Sequence, residues 1–522
     1  MNPDPSFSEA ETTREAEHPV IAQLRQDVSL ADGARKGGMW LAGGSWATQA
    51  FQFAISIVMA RLLLPQQFGE TALVNAIAGF AIIFTDLGLS AAVIHAQRVT
   101  QKLLDTAFWL SALSGIALTL ALCGAAFPIA SAYGQPQLVG LFIVVSLNFT
   151  FQLGAVHLAL LERAFHYRRV AFIESIAAVA GLAATPLFVL AGFGVYSVVL
   201  GPLVNTTLLS LLLWLNVPWR PTIRFSAEAM RRIWSFSRGL VGFNAINYWA
   251  RNLDNIMLGA YVSDAELGKY NRSYNLMMIP IGQVGSVLMR GLYPALARMQ
   301  DEPRRLGRAW IRAIAVSGGA FTLPITLTLA ATAPALVRVL YGDRWVGMVP
   351  ILQLLALAAV PQMIGASSGA PYRAAGKAGL LFRLSLITTA STIVAIVVGV
   401  QWGATGVAAA LLAKSWINLP IAVLPLAKHL GMRKREVFLP ILSSWVPASA
   451  LFGAELGVRF LLGPQLPAVA VLALQLVLGA GAQGLIVWRS GSETSREMRE
   501  MMRPILTRFR RPAPGKIVLR DI

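Results

Sequence analysis

Five residues give the chain its densest patch of polar chemistry within an apolar stretch: Asn244, Asn247, Arg251, Asp254 and Asn255. They fall at i, i+3, i+7, i+10 and i+11, so a helix would carry them on one face. A guanidinium on such a face binds phosphate oxygens through two parallel hydrogen bonds, and asparagine amides offer donors and acceptors to hydroxylated ligands. Two readings are open. Arg251 and Asp254 either neutralise one another inside the fold, or the whole face lines a water-filled cavity. The next apolar stretch carries Arg272, Asn275 and Arg290 beside Asn271, Tyr274 and Gln283. Arg272 and Arg290 either join the cavity or snorkel to the two membrane interfaces. Asp86 is a lone acid deep in another apolar run, where a carboxylate is costly unless paired or protonated. It either pairs with an internal base or exchanges a proton. Lys414 and Asn418, four residues apart, are further candidates for a lining.

The elements that hold these residues are hydrophobic runs of bilayer length. The chain has 522 residues, 56% hydrophobic and 13% charged, about half the charged share of a soluble globule. Its net charge of +19 would suggest nucleic acid in a soluble protein; here it belongs in membrane-flanking loops, and no nucleic-acid partner is expected. One cysteine, Cys123, excludes an internal disulfide and sits in an apolar run as a packing residue. No His/Cys/Asp cluster has metal-ligand spacing and no GxxxxGK[ST] loop is present, so neither metal, cofactor nor catalytic site is expected.

Crossing a bilayer takes about 20 residues. Runs of that order lie near 39–62, 69–94, 105–131, 138–161, 170–191, 194–216, 235–261, 268–293, 308–331, 346–368, 379–400, 403–427, 437–460 and 466–488, an all-α polytopic membrane protein of about fourteen spans. Between the first two, Leu62-Leu63-Leu64 ends a span, Pro65 forbids its continuation and Gly69 is expected as a flexible corner. Lys and Arg fall in alternate loops. Arg98/Lys102, Arg163/Arg168/Arg169, Arg298/Arg304/Arg305/Arg308 and Lys428/Arg433/Lys434/Arg435 are among them, whereas Tyr133-Gly134-Gln135-Pro136 has no charge. The positive-inside rule then places both termini in the cytoplasm.

A faint internal repeat pairs Phe68-Gly69-Glu70 with Leu267-Gly268-Lys269, Arg163-Ala164 with Arg373-Ala374, and Gly194-Val195 with Gly406-Val407. It implies two pseudo-symmetric six-helix lobes, residues 39–216 and 235–427, joined by a cytoplasmic connector over 217–234. Two further spans occupy 428–488. Residues 1–38 are expected as an uncleaved cytoplasmic tail. In the connector, Ser226 is expected to cap a short helix lying along the interface. The tail over 489–522 is basic and amphipathic, with Met498, Met501, Met502, Ile505, Leu506 and Phe509 at helical spacing, and it suits anionic lipid.

The corner LLxPxxFG at 62–69, the segment DLGLSAAVI at 86–94 and TAFW at 106–109 resemble the Wzx-type flippases of the multidrug/oligosaccharidyl-lipid/polysaccharide (MOP) exporter superfamily. The resemblance runs from about Lys36 to Ala427. It implies a bacterial inner-membrane flippase that moves a polyprenyl-diphosphate-linked oligosaccharide repeat unit to the outer leaflet, by alternating access coupled to an ion or the membrane potential. The partners it implies are that lipid-linked oligosaccharide, membrane lipids and the polysaccharide polymerase or export machinery. A cation-coupled small-molecule exporter of the same superfamily is the nearest rival and would favour acids over arginines. A membrane-embedded glycosyltransferase or polymerase is the rival of another class. It needs an acidic pair or a large external loop, and the external loops here are short.

Overall fold

The computed structural model describes residues 19–21, 47–86, 89, 93, 94, 96 and 98–489. Within them the chain is helical, with no strand among the described residues. Each expected span meets a helix where it is described. The first helix, α1, is described over 47–62, and Pro65 opens the second, α2, Pro65–Asp86. Proline fits there because the first helical position needs no donor. Then come α3 Gln101–Ala132, α4 Leu138–Phe151, α5 Ala155–Arg163, α6 Tyr167–Leu190, α7 Ser197–Asn216, α8 Ala227–Tyr261 and α9 Asp264–Ala297. The remainder is α10 Pro303–Ile314, α11 Leu323–Leu340, α12 Val349–Ser367, α13 Gly369–Ala374, α14 Ala378–Gly399, α15 Gly403–His429, α16 Lys434–Leu462 and α17 Ala468–Arg489. The amphipathic C-terminal tail expected beyond Arg489 lies outside the described residues.

Seven stretches among the described residues are long and apolar enough to cross a membrane, or eight when the bent pair α4 and α5 counts as one. The protein is therefore an all-α polytopic membrane protein. One of the seven, residues 379–429, has the length of two expected spans and folds as the hairpin α14–α15. Neither α8 nor α9 is among the seven although both are long enough. Their polar faces lower the hydropathy, and a helix polar on one side must turn that side to protein or water.

Two local features depart from the sequence expectation. Gly69 is not a corner but lies inside α2, where an added Cβ would collide with the Asp264 carbonyl. Gly268 faces it: a Cβ there would strike the Pro65 carbonyl and stand 2.9 Å from the Gly69 nitrogen. The two glycines that the internal repeat pairs are thus in contact, and glycine serves here for close backbone approach rather than for a turn. The second departure is the expected span over 138–161. It bends by 45° between α4 and α5, around Gln152. Carbonyls freed by the break are recovered from α7, as Ser210 Oγ donates to Phe151 O at 2.7 Å and Trp214 Nε1 to Leu153 O at 2.9 Å. An unsatisfied carbonyl in lipid costs several kcal/mol, so the bend and these donors belong together.

Contacts divide the chain into two compact units, Met1–Gly268 and Lys269–Ile522. The first has a core of Leu104, Phe108, Leu160, Leu213 and Trp219, into which Val20 and Ile21 from the N-terminal segment are packed. In the second, Trp310, Ile314, Tyr372, Val423 and Leu426 form the corresponding core.

Candidate functional site

α8 carries the stripe, and its start is set by Ser226, whose Oγ accepts from Ala229 N at 3.3 Å. The cap is where the sequence places it, but the helix is not short. With only glycines and no proline between 227 and 261 to stop it, one 35-residue helix runs into the seventh span, which corrects the expected separate interfacial helix. α8 docks on α2 through Tyr248, whose hydroxyl donates to Ala76 O at 2.9 Å and Asn75 O at 3.1 Å. That ring occupies the space beside Gly79, where a Cβ would meet the Tyr248 oxygen. Farther along, Gly259 rests on Leu73. Phe80 meets Trp249 in a tilted ring contact, 5.2 Å between ring centres.

With one side of α8 fixed on α2, the stripe divides along its length. Asp254 and Asn255 are buried, and Asp254 Oδ1 accepts from the backbone nitrogen of Asn255 at 2.8 Å and from its Nδ2 at 3.3 Å. Asn244 and Arg251 are exposed. Among the described residues Arg251 has no ion pair with Asp254 and no hydrogen-bond partner, so the self-neutralising pair is not formed. Arg251 stands ten residues before the end of α8, about 15 Å along the axis.

The other candidates are placed as follows. Asn275 is exposed on α9 and its Nδ2 donates to Asn271 Oδ1 at 2.9 Å, while Arg272 is half-buried. Lys414 is half-buried on α15; its neighbour Asn418 is committed to helix packing, donating to Ser391 Oγ of α14 at 2.7 Å. Asp86 ends α2. The side chains of Asp86, Asn247 and Arg290 lie outside the described residues. No group of three or more His, Cys, Asp or Glu suited to a metal occurs among the described residues.

Sequence reading passed over a polar site at the start of α3. Asp105 is fully buried, and its Oδ1 accepts from Gln101 Nε2 and from Thr222 N, both at 2.8 Å, while Oδ2 accepts from Thr222 Oγ1. Thr106 Oγ1 accepts from Ser226 N at 3.0 Å, and Trp109 Nε1 donates to Thr222 O at 2.9 Å. Trp219 Nε1 donates to Gln101 Oε1 at 3.0 Å, and His157 stacks on Trp214 beside it. The segment leading into α8 is therefore strapped to α3 before the stripe begins. Its signal in the sequence is the run Gln101, Asp105, Thr106 and Trp109, at helical spacing along one side of an otherwise apolar helix.

These helices, with polar faces on α8 and α9 among lipid-compatible neighbours, define a polytopic membrane protein. Solved structures agree on the fold. The inward closed conformation of the lipid II flippase MurJ matches with a TM-score of 0.70 and 14% identity, over 90% of this chain and 100% of that one. An inward-facing multidrug resistance MATE transporter of the MOP superfamily matches with a TM-score of 0.56 and 14% identity, over 74% and 94%. The chain belongs to the polysaccharide biosynthesis protein family, whose model matches residues 58–350. Among its relatives are the lipopolysaccharide biosynthesis protein WzxC of Escherichia coli strain K12, 27% identical over 78% of this chain and 84% of the relative, and the succinoglycan biosynthesis transport protein ExoT of Rhizobium meliloti strain 1021, 25% identical over 86% and 90%. The family resemblance read from the LLxPxxFG, DLGLSAAVI and TAFW segments is borne out.

Proposed function

We propose that this chain is a flippase of polysaccharide biosynthesis, moving a polyprenyl-diphosphate-linked oligosaccharide repeat unit across the bacterial inner membrane by ion- or potential-coupled alternating access. One observation carries the reading: Arg251 is exposed and, among the described residues, unpartnered, ten residues inside the end of the 35-residue helix α8. A guanidinium facing hydrocarbon there is costly, so this face meets water or an anionic ligand. The diphosphate of a lipid carrier supplies that ligand, bound bidentately in a poorly hydrated site. Asn244, Asn247 and Asn275 offer hydrogen bonds to the sugar, and Arg272, Arg290, Lys414, Asp86, Asp254 and Asn255 complete the polar set in supporting roles. Relatives named as transport and lipopolysaccharide biosynthesis proteins support the substrate class.

The accompanying topology has fourteen spans in two six-helix lobes plus a C-terminal pair, with both termini cytoplasmic. Single cysteines test the orientation: Pro136→Cys should react with an impermeant thiol reagent applied from the periplasm, and Arg169→Cys should not. The function itself is tested by deleting the gene and locating its lipid-linked repeat unit. A flippase predicts that the completed unit accumulates on the cytoplasmic leaflet while polymer disappears. Absence of the completed unit would instead mark a glycosyltransferase, and normal polymer would refute both.

A further inference from the structure

Two basic loops that lie far apart in the sequence meet in the second unit. α10 puts Leu306, Gly307, Trp310, Ile311 and Ile314 into the core and leaves Arg304, Arg305, Arg308 and Arg312 exposed. Gly307 sits against Met432 and Leu430, so close that a Cβ would collide with the Met432 sulfur, and this seats α10 on the turn between α15 and α16. Gly431, with φ +67°, passes beneath Arg304, whose Nε would lie 3.6 Å from a Cβ placed there. A side chain at 431 would be strained and would enter the space beside that arginine. Between α10 and this turn is an open cleft of about 360 Å³, bordered by Glu302, Arg304, Arg305, Arg308 and His429. That volume lies within the usual range of about 300–1,000 Å³ for small-ligand sites.

The charges in the cleft do not cancel. Glu302 is engaged by Arg305, with Nη1 to Oε1 at 3.0 Å. Arg304, Arg308 and His429 have no hydrogen-bond or ion-pair partner among the described residues. The next acid along the turn, Glu436, is occupied in capping α16, its Oε2 accepting from Arg433 N at 3.2 Å. His429 also ends the apolar stretch 379–429, which puts the cleft at the boundary where helices leave the bilayer.

We infer that this cleft is a binding site for the phosphate headgroup of an anionic phospholipid of the surrounding bilayer. Guanidinium groups at a membrane boundary bind phosphate bidentately, and basic pockets between spans are a recognised form of headgroup site. The apolar face of α10 is covered by protein, so the lipid is met by the arginine face and its acyl chains remain beside the spans. The bordering residues offer neither asparagine, glutamine, tyrosine nor tryptophan, which disfavours the sugar-bearing carrier as occupant and favours a small phosphodiester.

The test compares purified full-length protein in phosphatidylcholine nanodiscs doped with spin-labelled phosphatidylglycerol or spin-labelled phosphatidylcholine. Wild type should restrict the anionic lipid preferentially. Arg304→Gln with Arg308→Gln should reduce that preference by at least about tenfold, since each surface cation contributes roughly a fivefold factor. Arg344→Gln with Arg383→Gln removes the same charge elsewhere and should leave the preference nearly intact. Equal preference in wild type and the first double variant, or equal loss in both double variants, would overturn the inference. So would stronger retention of a polyprenyl diphosphate than of phosphatidylglycerol. Should the first double variant fail to fold, Arg308→Gln alone is read against Arg308→Lys, and the inference requires the glutamine variant to lose preference and the lysine variant to keep most of it.

Discussion

Asp105 in the first unit and Glu455 in the second are both fully buried carboxylates, and their surroundings differ sharply. Asp105 accepts three hydrogen bonds, two of them from the irregular segment that leads into α8. Glu455, on α16, accepts one, from Thr328 Oγ1 of α11 at 2.7 Å, and its Oε2 is buried without a partner among the described residues. Gln475 of α17 lies alongside but donates to the Glu455 backbone carbonyl at 2.9 Å. The difference follows from what packs against each acid. A non-helical strand of chain has backbone N–H groups to give. A helix has spent most of its own internally, and the acid on α16 is served by the Thr328 side chain. Of these two acids, the better satisfied is the one that lies where regular structure stops.

The largest effect expected from that contrast is at Asp105. Asp105→Ala removes three hydrogen bonds that tie exposed Thr222 and half-buried Gln101 to a buried carboxylate, each worth about 0.5–1.5 kcal/mol, and leaves a cavity in the core. Little folded protein should reach the membrane fraction, measured by detergent extraction and size exclusion. Asp105→Asn should fall between that variant and wild type, because its amide nitrogen would face donors. A smaller effect is expected from trimming the donors. Thr328→Val removes the one bond to the Glu455 carboxyl found among the described residues and should lower stability by about 1–3 kcal/mol, the cost of a buried polar group left unsatisfied. Thr222→Val leaves Asp105 two of its three bonds and should cost less. Thermal unfolding of the two variants in one detergent decides the order, and a larger loss from Thr222→Val would break the comparison. The smallest effect is expected from Glu455→Gln, within about 1 kcal/mol, since an amide oxygen still accepts from Thr328. If Glu455→Gln unfolds the protein while Asp105→Asn does not, the contrast is the wrong way round.

What the sequence disclosed, and what it hid, follows the range of the interactions concerned. Helix-length apolar runs are local, so every expected span meets a helix where it is described, and Pro65 marks the boundary it was expected to mark. The stripe on α8 is equally local, since Asn244, Arg251 and Asp254 announce themselves by a helical period. Asp105 was silent because its acceptors' partner, Thr222, lies 117 residues away. Gly69 was misread because the same residue type serves turns and close helix contacts, and only the partner Asp264 tells them apart. The break around Gln152 joins two apolar halves, and the donors that permit it come from α7. Nor does periodicity reveal where a polar face becomes buried, as it does between Arg251 and Asp254.

Arg251 is the residue on which the flippase reading turns. It is exposed and unpartnered, so Arg251→Ala should change stability by no more than about 0.5 kcal/mol, as for other surface positions. Export of polysaccharide is measured in a strain lacking the native gene, with membrane protein level recorded alongside. Arg251→Ala should reach a normal level with export abolished and lipid-linked repeat units accumulating, and Arg251→Lys, which keeps the charge but loses the fork, should export in part. Full export from Arg251→Ala at normal protein level would contradict the flippase reading.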